Sequence, residues 1–280
     1  MGFYLGQLVD FATTVLGIIG ATLIPVYLAL YLVTNLKFIH IRYITAAAIG
    51  LTFWFFFDTL GDSSDLGVNS GFSGGLPQAG LLVAFCLGFV VLAVFDHIAV
   101  PGTSPSSSNS ANPKFLVFIP IAVAAVMGIH GLGEGWDFGS ASSAAGTSLI
   151  NAFGGLGAVA SYPIHKFLEA SIIGATYFAY IGGRSGTDST KAKWHLPVLG
   201  LLFGLPSVIG TCLGYYIHLD TTYFFAFGVT SAFYASLRLV EAINPRFKIE
   251  ENAPNYLDWK VFLVLALGFL VFYTAALLHS

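Results

Sequence analysis

Charge is scarce in this sequence. Only 9% of its 280 residues are Asp, Glu, Lys or Arg, against about 25% in an ordinary soluble domain. That deficit excludes a water-soluble globular fold. With 11 cations and a net charge of −3, the chain also lacks the dense basic surface a nucleic-acid partner requires. Cysteine is nearly absent. Cys86 and Cys212 lie far apart in apolar runs, so a disulfide framework is excluded and both read as packed thiols. No basic residue precedes Lys37. The positive region of a cleaved leader is therefore missing, and the first apolar segment reads as a retained span. No tandem repeat and no soluble appendage interrupts the chain, so a single membrane domain over residues 1–280 is expected.

Apolar surface is present in its place: 56% of residues are hydrophobic and 26 are phenylalanine. Lipid is the solvent this composition fits. A helical crossing takes about 20 mostly apolar residues. Eight segments are candidates: 11–35, 43–60, 79–100, 115–138, 148–182, 196–217, 222–243 and 258–279. The expected fold is an all-α bundle of eight transmembrane helices. The fifth segment is too long for one straight crossing, and its first part, INAFGGLGAVA, reads as a loop or interfacial turn. Residues 61–78 and 101–114 are rich in Gly, Ser, Asn and Pro and read as flexible loops.

The cations fall on alternate loops. Lys37 and Arg42 follow the first segment, Lys114 the third, Arg184, Lys191 and Lys193 the fifth, and Arg246, Lys248 and Lys260 the seventh. The other loops and both ends carry none. By the positive-inside rule both termini face outward. The alternation also supports the count of eight, which a missed span would scramble.

Lys166 and Arg238 remain, inside spans, with Asp58, Asp96, His97, His130, Glu134, Asp137, His165, Glu169 and Glu241. A charge at bilayer depth costs about 2.5–3.5 kcal/mol even on the most lenient scale, so each is a functional candidate by default. In GIHGLGEGWDFG, His130, Glu134 and Asp137 fall within about 60° of one helical face. The interleaved glycines give a neighbouring helix room to approach. YPIHKFLEA repeats the spacing: His165 and Glu169 are again four apart, after a kink expected at Pro163. Two facing helices of this kind make an N₂O₂ site suited to Zn²⁺, Fe²⁺ or Mn²⁺. The plainer alternative for each pair is interhelical hydrogen-bond glue. Asp58 and Asp137 lie near span ends and read first as cap or vestibule charges. Asp96 and His97 read as interfacial, and Arg238 with Glu241 as a helix ion pair near the inner surface.

At these residues the sequence resembles the ZIP family of divalent metal transporters. That family has eight spans with both ends outside, a fourth-span pattern H-N-x-P-(D/E)-G and a related fifth-span pattern. Here they read His130-Gly131-Leu132-Gly133-Glu134-Gly135 and His165-Lys166-Phe167-Leu168-Glu169-Ala170. LPSVIGTCLG at 205–214 is similar to the sixth-span pattern, and ITAAAIGLTFWFFFDTLGD to the second span. The resemblance implies a ZIP-like bundle with a metal position at His130, Glu134, His165 and Glu169. It implies a second position too, but there Gly131, Lys166 and Ser207 or Leu205 replace the usual ligands. The ammonium of Lys166 is expected to take the place of the second ion; the plainer alternative is that it turns away and snorkels or pairs with another acid. The His-rich loop after the third span is also missing.

The expected function is inward transport of a divalent transition metal, zinc first and iron or manganese next, in the plasma membrane. The metal is substrate, and no organic cofactor is implied. Asp62 and Asp65 are expected to guide entry, Asp137 to serve as a staging ligand, and Asp58 to play an auxiliary part. A homodimer is left open. Two other readings stand beside this one. The first is a membrane-embedded metalloenzyme, although no H-E-x-x-H motif supplies its general base. The second is a relative that binds metal without transporting it.

Overall fold

The computed structural model describes residues 2–36, 39–64, 76–99, 116–145, 149–182, 189–243 and 259–277. Most of the two expected loops lies outside these residues, as do Lys37, Asp65, Lys114, Arg184, Arg246 and Lys248. Among the described residues every regular element is helical: α1 (Gly2–Asn35), α2 (Ile41–Ser64), α3 (Leu76–Ala99), α4 (Phe118–Ala145), the single turn α5 (Leu149–Ala152), α6 (Leu156–Tyr177), α7 (Ser189–Gly214), α8 (Thr222–Ile243) and α9 (Trp259–Leu277). A π-helical turn, Phe178–Gly182, extends α6. Among the described residues, six helices are long and apolar enough to cross a membrane: α1, α2, α3, α4, α7 and α8. The chain is therefore an integral membrane protein. The apolar stretch of α9, Trp259–Thr274, is shorter, and the unbroken helix α6 carries His165, Lys166 and Glu169 within its apolar sequence.

Helices are the form this sequence must take in lipid, where every backbone group has to be bonded within its own segment. Several buried threonines follow the same rule. Thr52, Thr59, Thr176 and Thr211 each donate their hydroxyl to the carbonyl four residues earlier, at 2.5–2.9 Å. They need no partner on another helix.

The fifth apolar segment breaks where expected. Gly154 and Gly155 have φ of 93° and 124°, a region that residues with a Cβ rarely enter. The chain turns there, and Phe153 packs on Phe138 and Tyr162 at centroid distances of 4.3 and 5.4 Å. The fourth segment runs further than expected, to Ala145 rather than residue 138. Its extension is small and polar and stays against α7, where Ser140 Oγ donates to the Gly214 carbonyl at 3.0 Å. Helices α2 and α3 also absorb residues 61–64 and 76–78 of the first expected loop.

Small residues set the tightest contact in the bundle. Gly128, Gly135 and Gly139 of α4 lie directly on the backbone of Leu202, Ser207 and Thr211, and Gly210 and Gly214 of α7 lie on Leu132 and Trp136. A Cβ at any of these positions collides with main-chain atoms. The glycines of GIHGLGEGWDFG thus bring α7 to backbone contact, as small residues do between membrane helices. The rising residue pairs show that α4 and α7 run parallel. Contacts of Gly50 with Leu265 and Phe269, and of Trp54 with Tyr273, make α2 and α9 parallel. Gly80 on Tyr223 and Gly88 on Thr230 make α3 and α8 parallel. Helix α1 runs antiparallel to α7, since Tyr27 meets Gly200 and Phe11 meets Tyr215. Outward faces carry exposed leucine, valine and isoleucine, such as Leu82, Val83, Leu87 and Val90 of α3. The main core includes Val123 and Met127 of α4, Ile172 and Ile173 of α6, and Phe203 of α7.

Candidate metal centre

Among the described residues the buried ionisable side chains, His130, Lys166 and Glu169, gather at one level of the bundle. There α4 brings His130 and Glu134, and α6 brings His165, Lys166 and Glu169. Each helix supplies its imidazole and carboxylate four residues apart, so both face the same way. The helices run antiparallel, because His130 meets Glu169 while Glu134 meets His165. Pro163 lies inside α6, which continues through it.

The four predicted ligands meet in a ring of alternating nitrogen and oxygen. His130 Nε2 lies 3.3 Å from Glu134 Oε1 and 3.6 Å from Glu169 Oε1. His165 Nε2 lies 3.8 and 3.5 Å from the same two oxygens. His130, Glu134 and Glu169 have ligand atoms all within 4.8 Å of one another, and the fourth predicted ligand, His165, stands outside that group, 3.8 and 3.5 Å from the two carboxylates. These separations are long for N–H···O hydrogen bonds, which cluster near 2.9 Å. His130 Nε2, His165 Nε2 and Glu169 Oε1 are buried without a hydrogen-bond partner among the described residues. Three of the four nitrogen–oxygen separations fall in the range of about 3.3–3.6 Å that a tetrahedral zinc with bonds of about 2.0–2.2 Å sets between its ligands, and the fourth, from His165 to Glu134, is wider.

Each carboxylate divides its oxygens between the imidazoles and one ammonium. Oε1 points to the imidazoles. Oε2 of Glu134 and Oε2 of Glu169 both pair with Lys166 Nζ, the second at 2.6 Å. Lys166 is fully buried, with its ammonium 5.6 Å from the Tyr162 ring and 5.3 Å from the Phe203 ring. Two carboxylates and one ammonium leave a net charge of −1 on the imidazole side when both rings are neutral. Uncompensated charge in a dry interior costs several kcal/mol. A cation at the ring would offset it.

The surroundings hold the rings rigidly. Phe55 and Phe225 flank His130 at centroid distances of 5.1 Å each, and Phe272 meets His165 edge-on at 4.9 Å. Gly228 of α8 lies so close that a Cβ there would come 2.9 Å from His130 Nδ1. That nitrogen, which an outer hydrogen bond usually fixes in metal-bound histidines, has no such partner among the described residues. No sequence signal pointed to these packing residues, because phenylalanine is common throughout the chain.

Exposure is uneven across the site. Glu134 and His165 keep 17% of their side-chain surface, while Glu169 and Lys166 keep none. Glu134 and His165, the two that keep surface, are also the two nearer the bundle end where α4 finishes and α6 begins. Toward the other end, Met127, Ile172, Ile173 and Phe203 are fully buried. Partly buried Asp58 of α2 lies within Coulombic range of His165, His130, Glu169 and Glu134. Asp137 does not join the ring. It is exposed, and both its oxygens accept from Thr221 Oγ1 at 2.8 Å. The three-residue step from Glu134 carries it towards the α7–α8 connection. Asp62, expected at the entrance, lies outside the residues whose side chains are described.

The pair Arg238–Glu241 forms as expected, and Asp96 of α3 joins it, pairing with Arg238 and accepting from Tyr234 at 2.8 Å. This cluster ties α3 to α8. No family profile, curated protein or solved structure matches this chain. The likeness to the ZIP family rests on the residues quoted above.

Proposed function

We propose that this protein carries a divalent transition-metal cation across a membrane, through the ring formed by His130, Glu134, His165 and Glu169. One observation carries the reading: two imidazole nitrogens and two carboxylate oxygens face one another at 3.3–3.8 Å in a largely buried site, without bonding one another. Imidazole and carboxylate ligation favours zinc, and accommodates iron or manganese. Four ligands offset the desolvation of a doubly charged ion at bilayer depth.

The direction proposed is inward, across the plasma membrane. Eight alternating crossings with both ends outside place α1, α3, α6 and α8 in one sense and α2, α4, α7 and α9 in the other. Each helix pair described above has the relative sense this arrangement requires. In it, the edge with Glu134, His165 and Asp58 faces outward, and the seal of Met127, Ile172 and Phe203 faces the cytoplasm. Metal enters past Asp58, sheds water at the ring, and leaves when α4 and α6 shift against that seal.

A second reading is binding without transport. It draws support from Lys166, whose buried contacts to Glu134 and Glu169 tie α4 to α6. Proteoliposomes loaded with a zinc-sensitive dye separate the two. The carrier reading predicts saturable entry of Zn²⁺ that His165→Ala abolishes. Zinc retention by the purified chain without entry supports the second reading and overturns the first.

A further inference from the structure

A groove of about 350 Å³ opens between α3 and α8, apart from the metal ring. Phe89, Leu92, Phe233 and Leu237 line its deeper part, and Asp96, Arg238 and Glu241 line the part nearer the helix ends. Phe89 and Phe233 meet at a centroid distance of 5.7 Å, about two helical turns from the charged residues. The groove is open to the membrane, since Phe89, Phe233 and Leu237 are 44%, 45% and 56% exposed. Its walls thus follow the order of a lipid leaflet. Charge lies at the helix ends, at headgroup level, and rings and leucines lie at the level of the acyl chains.

The charged part is unbalanced. Arg238 pairs with both Asp96 and Glu241, which leaves a net charge of −1. The guanidinium keeps 14% of its side-chain surface, and the carboxylates keep 31% and 32%. Every hydrogen bond these carboxylates accept among the described residues falls on one oxygen of each. Asp96 Oδ1 accepts from Arg238 and Tyr234, and Glu241 Oε2 from Arg238 and Tyr180. Asp96 Oδ2 and Glu241 Oε1 lack a donor among the described residues.

We propose that this groove holds a membrane phospholipid with a primary-amine, zwitterionic headgroup, a phosphatidylethanolamine. Its ammonium brings three N–H donors to the two open carboxylate oxygens and cancels the excess charge. Its phosphate meets Arg238, and one acyl chain lies along Phe89, Leu92, Phe233 and Leu237. A choline headgroup carries the same charge but has no N–H to donate. An anionic headgroup adds negative charge where there is already an excess. In the topology proposed above, this end of α3 and α8 faces the cytoplasm, so the lipid comes from the inner leaflet. The groove shares no residue with the metal ring, and the proposal does not rest on the carrier reading.

The test is native mass spectrometry of the full chain, purified in detergent and titrated with phospholipids of identical acyl chains. Phosphatidylethanolamine is expected to bind about tenfold more tightly than phosphatidylcholine or phosphatidylglycerol, the effect of a charge-assisted hydrogen bond. Its N-methyl and N,N-dimethyl derivatives are expected to fall in steps between ethanolamine and choline, as each methyl group removes a donor. Glu241→Gln keeps the Asp96–Arg238 tie between the helices and is expected to remove most of the preference. Ala93→Phe fills the groove, leaves the charges in place and is expected to weaken all three lipids. Equal binding of the three lipids by the wild type, or tighter binding of phosphatidylglycerol, overturns the proposal. So does a flat response along the methylated series, a comparison that needs no variant to fold. A preference that survives Glu241→Gln, or ethanolamine binding undiminished in Ala93→Phe, places the lipid elsewhere and also overturns it.

Discussion

Replacing Lys166 with methionine is the most informative single change to this centre. Methionine keeps the length and apolar body of the side chain and deletes one charge. In the metal-free protein, two buried carboxylates then lose their only cationic partner among the described residues. Breaking a buried pair by removing one member costs about 3–5 kcal/mol, on the order of 10 °C in melting temperature. Metal reverses the sign. In the wild type, the ammonium and a divalent ion about 5 Å apart repel by roughly 7 kcal/mol at an effective dielectric constant near 20, an upper bound before relaxation. The variant lacks that repulsion and has more to gain from the ion. Unfolding followed by tryptophan fluorescence in detergent, with and without Zn²⁺, reads both effects. Lys166→Met is expected to melt well below wild type in chelator and to gain more from zinc. A variant that matches wild type in chelator, or gains no more from zinc, refutes the charge accounting.

Two further changes probe the frame and the entrance. Gly135→Ala pushes a methyl group into the Ser207 backbone, so α4 and α7 must separate. The expected outcome is a loss of several degrees in melting temperature, and loss of zinc retention as Glu134 moves from the ring. Asp58→Asn removes a charge near the ring without removing a ligand. Initial uptake at low zinc is expected to fall about three- to tenfold, as attraction to a charged entrance weakens, while the retained metal count stays unchanged.

Six of the eight expected spans were legible in the sequence because lipid makes a crossing a long apolar run with sharp polar breaks, whereas α6 and α9 fall short of that length or apolarity. The turn at Gly154–Gly155 was legible too, from the length of the fifth segment. The ring was readable because His130/Glu134 and His165/Glu169 repeat one spacing, and that spacing places both side chains on one face. Lys166 was ambiguous, since a residue adjacent to a ligand points about 100° away on an ideal helix. Its long stem reaches back to both carboxylates from there. Asp137 shows the limit of a helical wheel. It shares an arc with Glu134, yet it lies a turn further along the axis and meets Thr221. Which helix the α4 glycines admit could not be read from their spacing. It depends on the matching Gly210 and Gly214 of α7, far along the chain. The role of Asp96 was hidden for the same reason, since its partner Arg238 lies 142 positions away.

The central claim concerns one ion between four side chains, and X-ray absorption at the zinc edge tests it most directly. The purified chain loaded with one equivalent of Zn²⁺ is predicted to show four nitrogen or oxygen neighbours at about 2.0–2.1 Å. The outer-shell scattering of two imidazoles should accompany them and disappear in the His130→Ala/His165→Ala variant. A six-oxygen shell without imidazole scattering, or a spectrum unchanged by that double substitution, contradicts the account.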